Sequence, residues 1–433
     1  MFLSRAHSLA ACISIFSLVL ASATAWAEDN EASTSLPPLT LRHALDSALR
    51  GNPELQSFAY ELRVQQGRQI EAGLAPNPTL SLALEDFAGS GAFQGTDNAQ
   101  ATFALSQVIE LGDKRARRVD AASAERGVLE TARAARQLDV VAEVARRFIH
   151  VAADQEQLVL TRRATGLAEK TLAEVAKRVK AGKSPGVEQH RAFISFTRAQ
   201  VEEEHAEHEL LTSRRKLAAM WGETATEFGR IEADLYTLPA AGDFGDLVAR
   251  LAANPDFTRF ASEERLRDAE LRLAQSQRTP NVELGAGIRR HQLSDDQAFV
   301  FSFTLPLPLR NRNQGAIAEA EARREQVGAE KQVAFIKAQA QLFELHQELR
   351  HYITEATTLE KAVLPQMDEA LEETEYAYQR GRYSYLEWVE AQRELVNVRR
   401  AYIEAAAKAH IFLAEIERLT GEPLTSSGTA STN

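Results

Sequence analysis

Cysteine is almost missing from this chain: among 433 residues, Cys12 stands alone. No disulfide can form within one chain, and no thiol pair is available to hold a metal. Proline and glycine are also sparse, at 13 and 22. That scarcity excludes loop-rich architectures and leaves room for long helices, which the abundant Ala, Glu, Arg, Leu and Gln favour. After Ala27 there is no run of about 18 apolar residues, so no helix is expected to cross a membrane. Cations are outnumbered, 50 Lys and Arg against 61 Asp and Glu, which argues against nucleic acid as a partner. No Ser/His/Asp or Cys/His set, phosphate loop or paired catalytic carboxylates stand out. Neither an enzyme nor a bound cofactor is therefore expected.

What is present begins with an export signal. Arg5 precedes an apolar stretch over residues 9–21, and Ala25-Trp26-Ala27 supplies the small-x-small pattern read by a signal peptidase. Residues 1–27 thus read as a signal peptide and 28–433 as the exported body. Leu9-Ala10-Ala11-Cys12 also has the form of a lipoprotein box. Cleavage there would follow too short an apolar stretch and leave residues 13–20 dangling, so cleavage after Ala27 is the better reading. Residues 424–433 are expected to form a loose C-terminal tail.

The body repeats itself. Asn52-Pro53-Glu54 returns 202 positions later as Asn254-Pro255-Asp256, and Pro78 returns as Pro280. Further along the offset is 199: Ala181-Gly182-Lys183 is answered by Arg380-Gly381-Arg382, and Trp221-Gly222 by Thr420-Gly421. The change of offset falls in a predicted loop, between Phe87 and Ala99, with a shorter gap between Arg290 and Gln297. Two repeats follow, about residues 40–222 and 243–421, each ordered helix, two strands, helix, turn, helix. Such a duplication predicts one structural body rather than several domains.

The helices are too long for a globule. Residues 114–180 contain no proline, and Leu138, Val141, Ala145, Phe148 and Ala152 alternate steps of three and four. The second repeat does the same with Phe335, Ala338, Leu342, Leu345, Leu349, Tyr352 and Ala356. These heptads predict seams between helices that wind round each other. At 1.5 Å per residue the first segment would run roughly 100 Å. Partner helices are expected over 53–75, 187–220, 255–277 and 385–419, giving two extended antiparallel coils per chain.

Four short runs have the opposite period. Leu80, Leu82 and Leu84 alternate with Ser81 and Ala83; Ala101, Phe103 and Leu105 alternate with Thr102, Ala104 and Ser106. In the second half Val282, Leu284, Ala286 and Ile288 alternate with small or polar residues, as do Phe299, Phe301, Phe303 and Leu305. Each is close to the length a tilted strand needs to cross an outer membrane. A soluble sheet over a core is the alternative for any single run. Four such runs in an exported chain, with no evident core to cover, favour lipid. Four strands cannot close a barrel, since the smallest natural ones have about eight. A pore therefore requires several chains, and three would give a 12-stranded barrel wide enough for solute.

Certain segments carry a resemblance over nearly the whole mature chain. Tyr378-Gln379-Arg380-Gly381-Arg382-Tyr383-Ser384-Tyr385-Leu386-Glu387, its weaker copy Lys180-Ala181-Gly182-Lys183-Ser184, and the strand-opening Pro76-Asn77-Pro78 and Thr279-Pro280-Asn281 resemble the TolC-type outer membrane efflux channels. Residues 107–115 and 305–315, which include Leu305-Pro306-Leu307-Pro308-Leu309, look most like the cobalt-zinc-cadmium resistance branch. The resemblance implies a mainly α protein with a small β part. It implies a homotrimer in the outer membrane, its four strands per chain completing a 12-stranded barrel and its helices a periplasmic tunnel. It further implies a periplasmic adaptor and an inner membrane resistance-nodulation-division pump as partners, with passive conduction of solutes such as divalent heavy-metal cations.

By the same resemblance Gly182, Lys183, Gly381 and Arg382 mark periplasmic turns that dock on the adaptor, and Glu387 and Glu390 line the constricted entrance. Glycine at such turns equally suits any tight helix reversal. The acids equally suit a solvated helix face, since the first repeat has Glu188 but Arg191 in their places. Gly166 and Pro365, also 199 apart, are expected to interrupt the long helices and bend them inward. His205 and His208 sit among Glu202, Glu203, Glu204 and Glu209 and read as a solvated charge run, because zinc needs three or four ligands in tetrahedral array. A periplasmic coiled-coil adaptor or scaffold is the reading from another class, but one hairpin and compact β-domains would suffice there. Whether metal or drug is the cargo stays open.

Overall fold

A computed structural model describes residues 37–421 of the protein. The predicted signal peptide, Cys12 within it and the tail 424–433 lie outside the described residues. The chain opens with β1 (Leu39–Thr40), α1 (Leu41–Gly51) and α2 (Pro53–Ala72). The hairpin of β2 (Thr79–Glu85) and β3 (Gln100–Ile109) leads into α3 (Lys114–Lys180), which reverses into α4 (Gly186–Ala218). After β4 (Ile231–Glu232) and α5 (Phe244–Leu251) the order recurs as α6 (Pro255–Ser276), β5 (Val282–His291), β6 (Gln297–Thr304), α7 (Gln314–Thr358), α8 (Leu364–Gln379) and α9 (Tyr385–Thr420). The fold is thus mainly α with a small β part.

The repeated Asn-Pro motif is a capping device. Asn52 and Asn254 each precede a proline at the first helical position, and the Asn oxygen accepts from the amides of Glu54 and Leu55 or of Asp256. Proline suits that position because its missing N–H has no helical partner to lose. The Asn amide nitrogens donate to carbonyls elsewhere: Asn52 to Met220 at 2.8 Å, Asn254 to Arg418 and Leu419 at 2.8 and 2.9 Å. One residue type thereby starts a short helix and holds the end of a long one.

Packing departs from a simple two-helix seam. In α3 the predicted Ala145, Phe148 and Ala152 are buried, but so are Val140, Val144 and Val151, while Leu138 and Val141 are half-buried. The reason is that α3 packs against α2, α4, α6 and α9, so its apolar stripe must be wider than an a/d seam. In α7 the predicted Ala338, Leu342, Leu349 and Ala356 are buried, with Phe335, Leu345 and Tyr352 beside them. One hydrophobic cluster joins α1, α3 and α4; a second joins α5, α6, α7 and α9; a third lies at the hairpin tips. An ion-pair link also joins the halves: Arg418 of α9 donates to Asp139 of α3 at 2.6 Å and to Asp256 of α6 at 2.7 Å.

Two expectations need correction. The interruption expected at Gly166 is absent, because α3 continues unbroken through it. A lone glycine keeps its N–H and costs a helix interior only about 1 kcal/mol. Just before Pro365 a π-helical stretch, Leu359–Val363, separates α7 from α8. Proline cannot donate to the preceding turn, and the wider π turn accommodates its ring. Leu305, expected on the fourth strand, lies one residue beyond β6, since the following Pro306 has no N–H to extend a ladder.

Candidate functional site: a one-sided sheet and two helical tips

The four strands form an all-antiparallel sheet in the order β2-β3-β5-β6. Side chains alternate across a strand, so register decides which residues share a face. Leu82, Phe103, Ile288 and Phe299 stand in one cross-strand row, Leu80, Leu105, Ala286 and Phe301 in the next, and Leu284 lies opposite Phe303. Leu84 and Val282 fall on the same face at opposite ends. The other face carries Ser81, Ala104, Gly287 and Val300, then Ala83, Thr102, Arg289 and Ala298. There Arg289 donates to the Thr102 hydroxyl at 2.9 Å and pairs with Glu85 at 3.2 Å.

No residue of this sheet belongs to any of the three hydrophobic clusters. Phe299 and Phe301 are 81% and 82% exposed. Among the described residues β2 and β6 each bond a single neighbour, so both edges of the sheet are open. An exposed apolar face is unfavourable in water, and open edges are unfavourable in lipid.

Both hairpin tips use one turn. Gly182 and Gly381 have φ of 71° and 72°. The glycine N–H bonds the carbonyl three residues back, and the next N–H the carbonyl five back: Gly182 to Val179 and Lys183 to Arg178, Gly381 to Tyr378 and Arg382 to Ala377. This is the double hydrogen bond that ends a helix on a left-handed residue, where a Cβ is strained. Lys183 and Arg382 are exposed beside the glycines.

Behind the turns lies a cluster the sequence reading missed. Val175 and Ala192 from α3 and α4 pack with Tyr378, Tyr385, Trp388 and Val389 from α8 and α9. The rings of Tyr378 and Trp388 stack at 4.7 Å, and Arg178 of α3 lies over Tyr378 at 4.7 Å. Arg178 also donates to the carbonyls of Tyr378 and Gln379, at 3.0 Å each. Burial pushes the Tyr378 hydroxyl above its ordinary pKa. A signal was present in the sequence, Tyr378, Tyr385 and Trp388 close on either side of Gly381, but their partner Arg178 lies 200 residues from Tyr378.

Glu387 and Glu390 are exposed and line one hollow of about 500 Å³. Glu387 closes a capping box: its carboxylate accepts from the Ser384 N–H at 2.7 Å, and the Ser384 hydroxyl oxygen accepts from the Glu387 N–H at 3.4 Å. The Ser384 backbone N–H, then its hydroxyl, hold the Glu387 carboxyl below its ordinary value. Arg191 and Arg393 line the same hollow, so it is not purely acidic. His205 and His208 are exposed, and the neighbouring Glu203 and Glu207 pair with Arg162. Among the described residues no three His, Cys, Asp or Glu side chains gather where a metal ion would need them.

Long paired helices joined to a small antiparallel sheet, apolar on one face and open at both edges, define a channel-type outer membrane protein. The sequence profile of the family described as outer membrane efflux protein matches residues 44–223 and 247–422, and the chain belongs to that family. It is an outer membrane protein whose helices extend into the periplasm, from a family of channels rather than enzymes. The chain is 27% identical to the cobalt-zinc-cadmium resistance protein CzcC of Cupriavidus metallidurans over 384 residues, 89% of this chain and 90% of that one. The fold is shared with a membrane protein from Pseudomonas aeruginosa (TM-score 0.73, 20% identity, 90% of this chain and 92% of that one). It is shared likewise with CusC (TM-score 0.72, 16% identity, 90% and 94%).

Proposed function

We propose that the protein is the outer membrane duct of a tripartite efflux system, in which three copies conduct divalent heavy-metal cations passively from a pump and adaptor to the exterior. The observation that carries this reading is the sheet: one apolar face runs through all four strands and both edges are open. Edge-to-edge joining of three sheets would satisfy every strand and turn the apolar faces to lipid. Heavy metal as cargo is supported by the similarity to CzcC over nine-tenths of both chains. The two repeats, about 40–222 and 243–421, each contribute two strands and one hairpin. The protein has no catalytic role in this reading.

Gly182, Lys183, Gly381 and Arg382 form the adaptor-docking turns, and Glu387 and Glu390 line the entrance. Arg191 and Arg393 offset part of the acids' field, so this ring enriches cations weakly. Pro365, with its π turn, marks the place where the second hairpin bends. Mass measurement of the full chain in detergent should give three chains per particle. Its deletion should lower tolerance to zinc, cobalt or cadmium while leaving tolerance to hydrophobic drugs unchanged. A stable membrane-inserted monomer would sink the architecture, and loss of drug tolerance alone would make the cargo a drug.

A further inference from the structure

All four junctions between sheet and helices lie at one level, tied together by side chains. Gln107 donates to the Pro76 carbonyl at 2.8 Å, and Arg118 to that of Leu74 at 3.1 Å. Lys114 donates to the Asn281 side chain at 2.5 Å, and Asn313 to the Ala274 carbonyl at 2.8 Å. Apolar side chains are exposed at this level. Leu74 and Leu111 are exposed, and Leu307 and Leu309 are 69% and 77% exposed. The last two sit in Leu305-Pro306-Leu307-Pro308-Leu309, where prolines restrict the backbone and the Leu309 N–H bonds the Leu307 carbonyl at 2.8 Å. The first half has only residues 110–112 between strand and helix cap, and the second has 305–312. The longer linker adds the two most exposed of these leucines, Leu307 and Leu309.

Cations follow at once. Arg310, Arg312 and Arg278 form no ion pair among the described residues. Glu110, at the same level, is already bound to Arg118 at 2.5 and 2.9 Å.

We infer that the 305–312 linker is a membrane-surface anchor, with Leu307 and Leu309 seated at the top of the acyl chains of the periplasmic leaflet and Arg310 and Arg312 on its anionic phospholipid headgroups. Continuity supports this occupant, because the linker leaves the sheet one residue after β6, whose apolar face ends at Phe303. Charge complementarity supports it too: arginines without a carboxylate partner among the described residues, the Arg312 side chain donating only to the Pro308 carbonyl, stand beside exposed leucines and match the anionic boundary between hydrocarbon and water. The inference rests on the proposed membrane placement of the sheet.

Its test separates the two ideas. The exported chain, residues 28–433, which lacks Trp26, would be reconstituted in phosphatidylcholine vesicles carrying bromine either near the head of the acyl chains or near their ends. Tryptophan fluorescence is then read for Leu309→Trp and Phe301→Trp. The parent's Trp221 and Trp388 pack in the helical clusters and supply the background. Leu309→Trp should be quenched best by shallow bromine, and Phe301→Trp by deep bromine. With bromine on phosphatidylglycerol instead, quenching of Leu309→Trp should show enrichment of about fivefold per cation. Arg310→Gln with Arg312→Gln should abolish that excess. Unquenched Leu309→Trp beside quenched Phe301→Trp overturns the anchor and puts a neighbouring copy or water over the linker. Equal quenching by both headgroups overturns the charge half of the inference. If neither tryptophan is quenched, the membrane placement itself fails.

Discussion

At the first tip α3 ends on Gly182 and the chain enters α4 through Pro185 with no side-chain cap, whereas at the second α8 ends on Gly381 and α9 starts on a Ser384–Glu387 capping box. Behind the second turn stand Tyr378, Tyr385 and Trp388; the first contributes buried Val175 and Ala192, with half-buried Leu172 and Val179 beside them, and no aromatic ring. The long helices differ as well: α3 runs 67 residues without interruption, while a π turn divides α7 from α8. Duplication preserved the reversal, which backbone geometry demands, and left the packing behind it free to diverge. The second hairpin became the packed one. Arg178, whose counterpart 199 positions on is Ala377, is how the first hairpin holds on to it.

The largest test of this asymmetry is Trp388→Ala against Gln189→Ala at the corresponding place in the first hairpin. Trp388 is buried and stacked, so its loss should cost about 3–5 kcal/mol, seen as a lower unfolding temperature in detergent. Gln189 is exposed, and its change should stay within about 0.5 kcal/mol. Comparable losses at both would break the comparison. Next is Arg178→Ala, which removes two hydrogen bonds to the second turn. A cost of about 1.5–3 kcal/mol is expected, with faster hydrogen exchange at Gly381 and Arg382 than at the turn of the first hairpin.

The shared turn predicts equality instead. Gly182→Val and Gly381→Val should each cost roughly 1–2 kcal/mol, because both glycines hold the same left-handed φ and neither is crowded by backbone. An unequal pair would show that the turns are alike only in shape.

The smallest effect is electrostatic. Since the folded pKa of Glu387 lies below its ordinary 4.5, its contribution to the start of α9 is present above that value and fades as pH falls through the folded pKa. Carboxyl titration by NMR should show the depressed value, and Ser384→Ala should return it towards the ordinary one. Glu188, at the corresponding place, has no capping serine before it.

How legible was all this in the sequence? The bounds of α2, α3, α4, α6 and α9 were, to within three residues, because proline, glycine and Asn-Pro act through local backbone restrictions. The alternation in the strands was too, since a period of two is readable within one run. α1 and α5 were passed over, although Leu41, Ala44, Leu45 and Ala48, and Phe244, Leu247, Val248 and Leu251, have helical spacing. Both are short, and each is flanked by another helix start that drew the reading past it. The parallel pairing of β1 with β4, Leu39 opposite Ile231, leaves no pattern in strands of two residues. For the candidate site, the turn glycines and the acids were visible, but not that Glu387 is held by Ser384 or that Arg191 and Arg393 share its hollow.

The sequence by itself determined the period of every long element, the places where the chain reverses, and the fact of duplication, because each depends on neighbours along the backbone. Only the tertiary structure decided the register that aligns Leu82, Phe103, Ile288 and Phe299 in one row, the clasp of Arg178 on the second turn, and the link from Arg418 to Asp139 and Asp256. Those contacts join residues that local restrictions leave independent. Which of many compatible surfaces meet is fixed by packing all the helices at once, and no window along the chain contains that information.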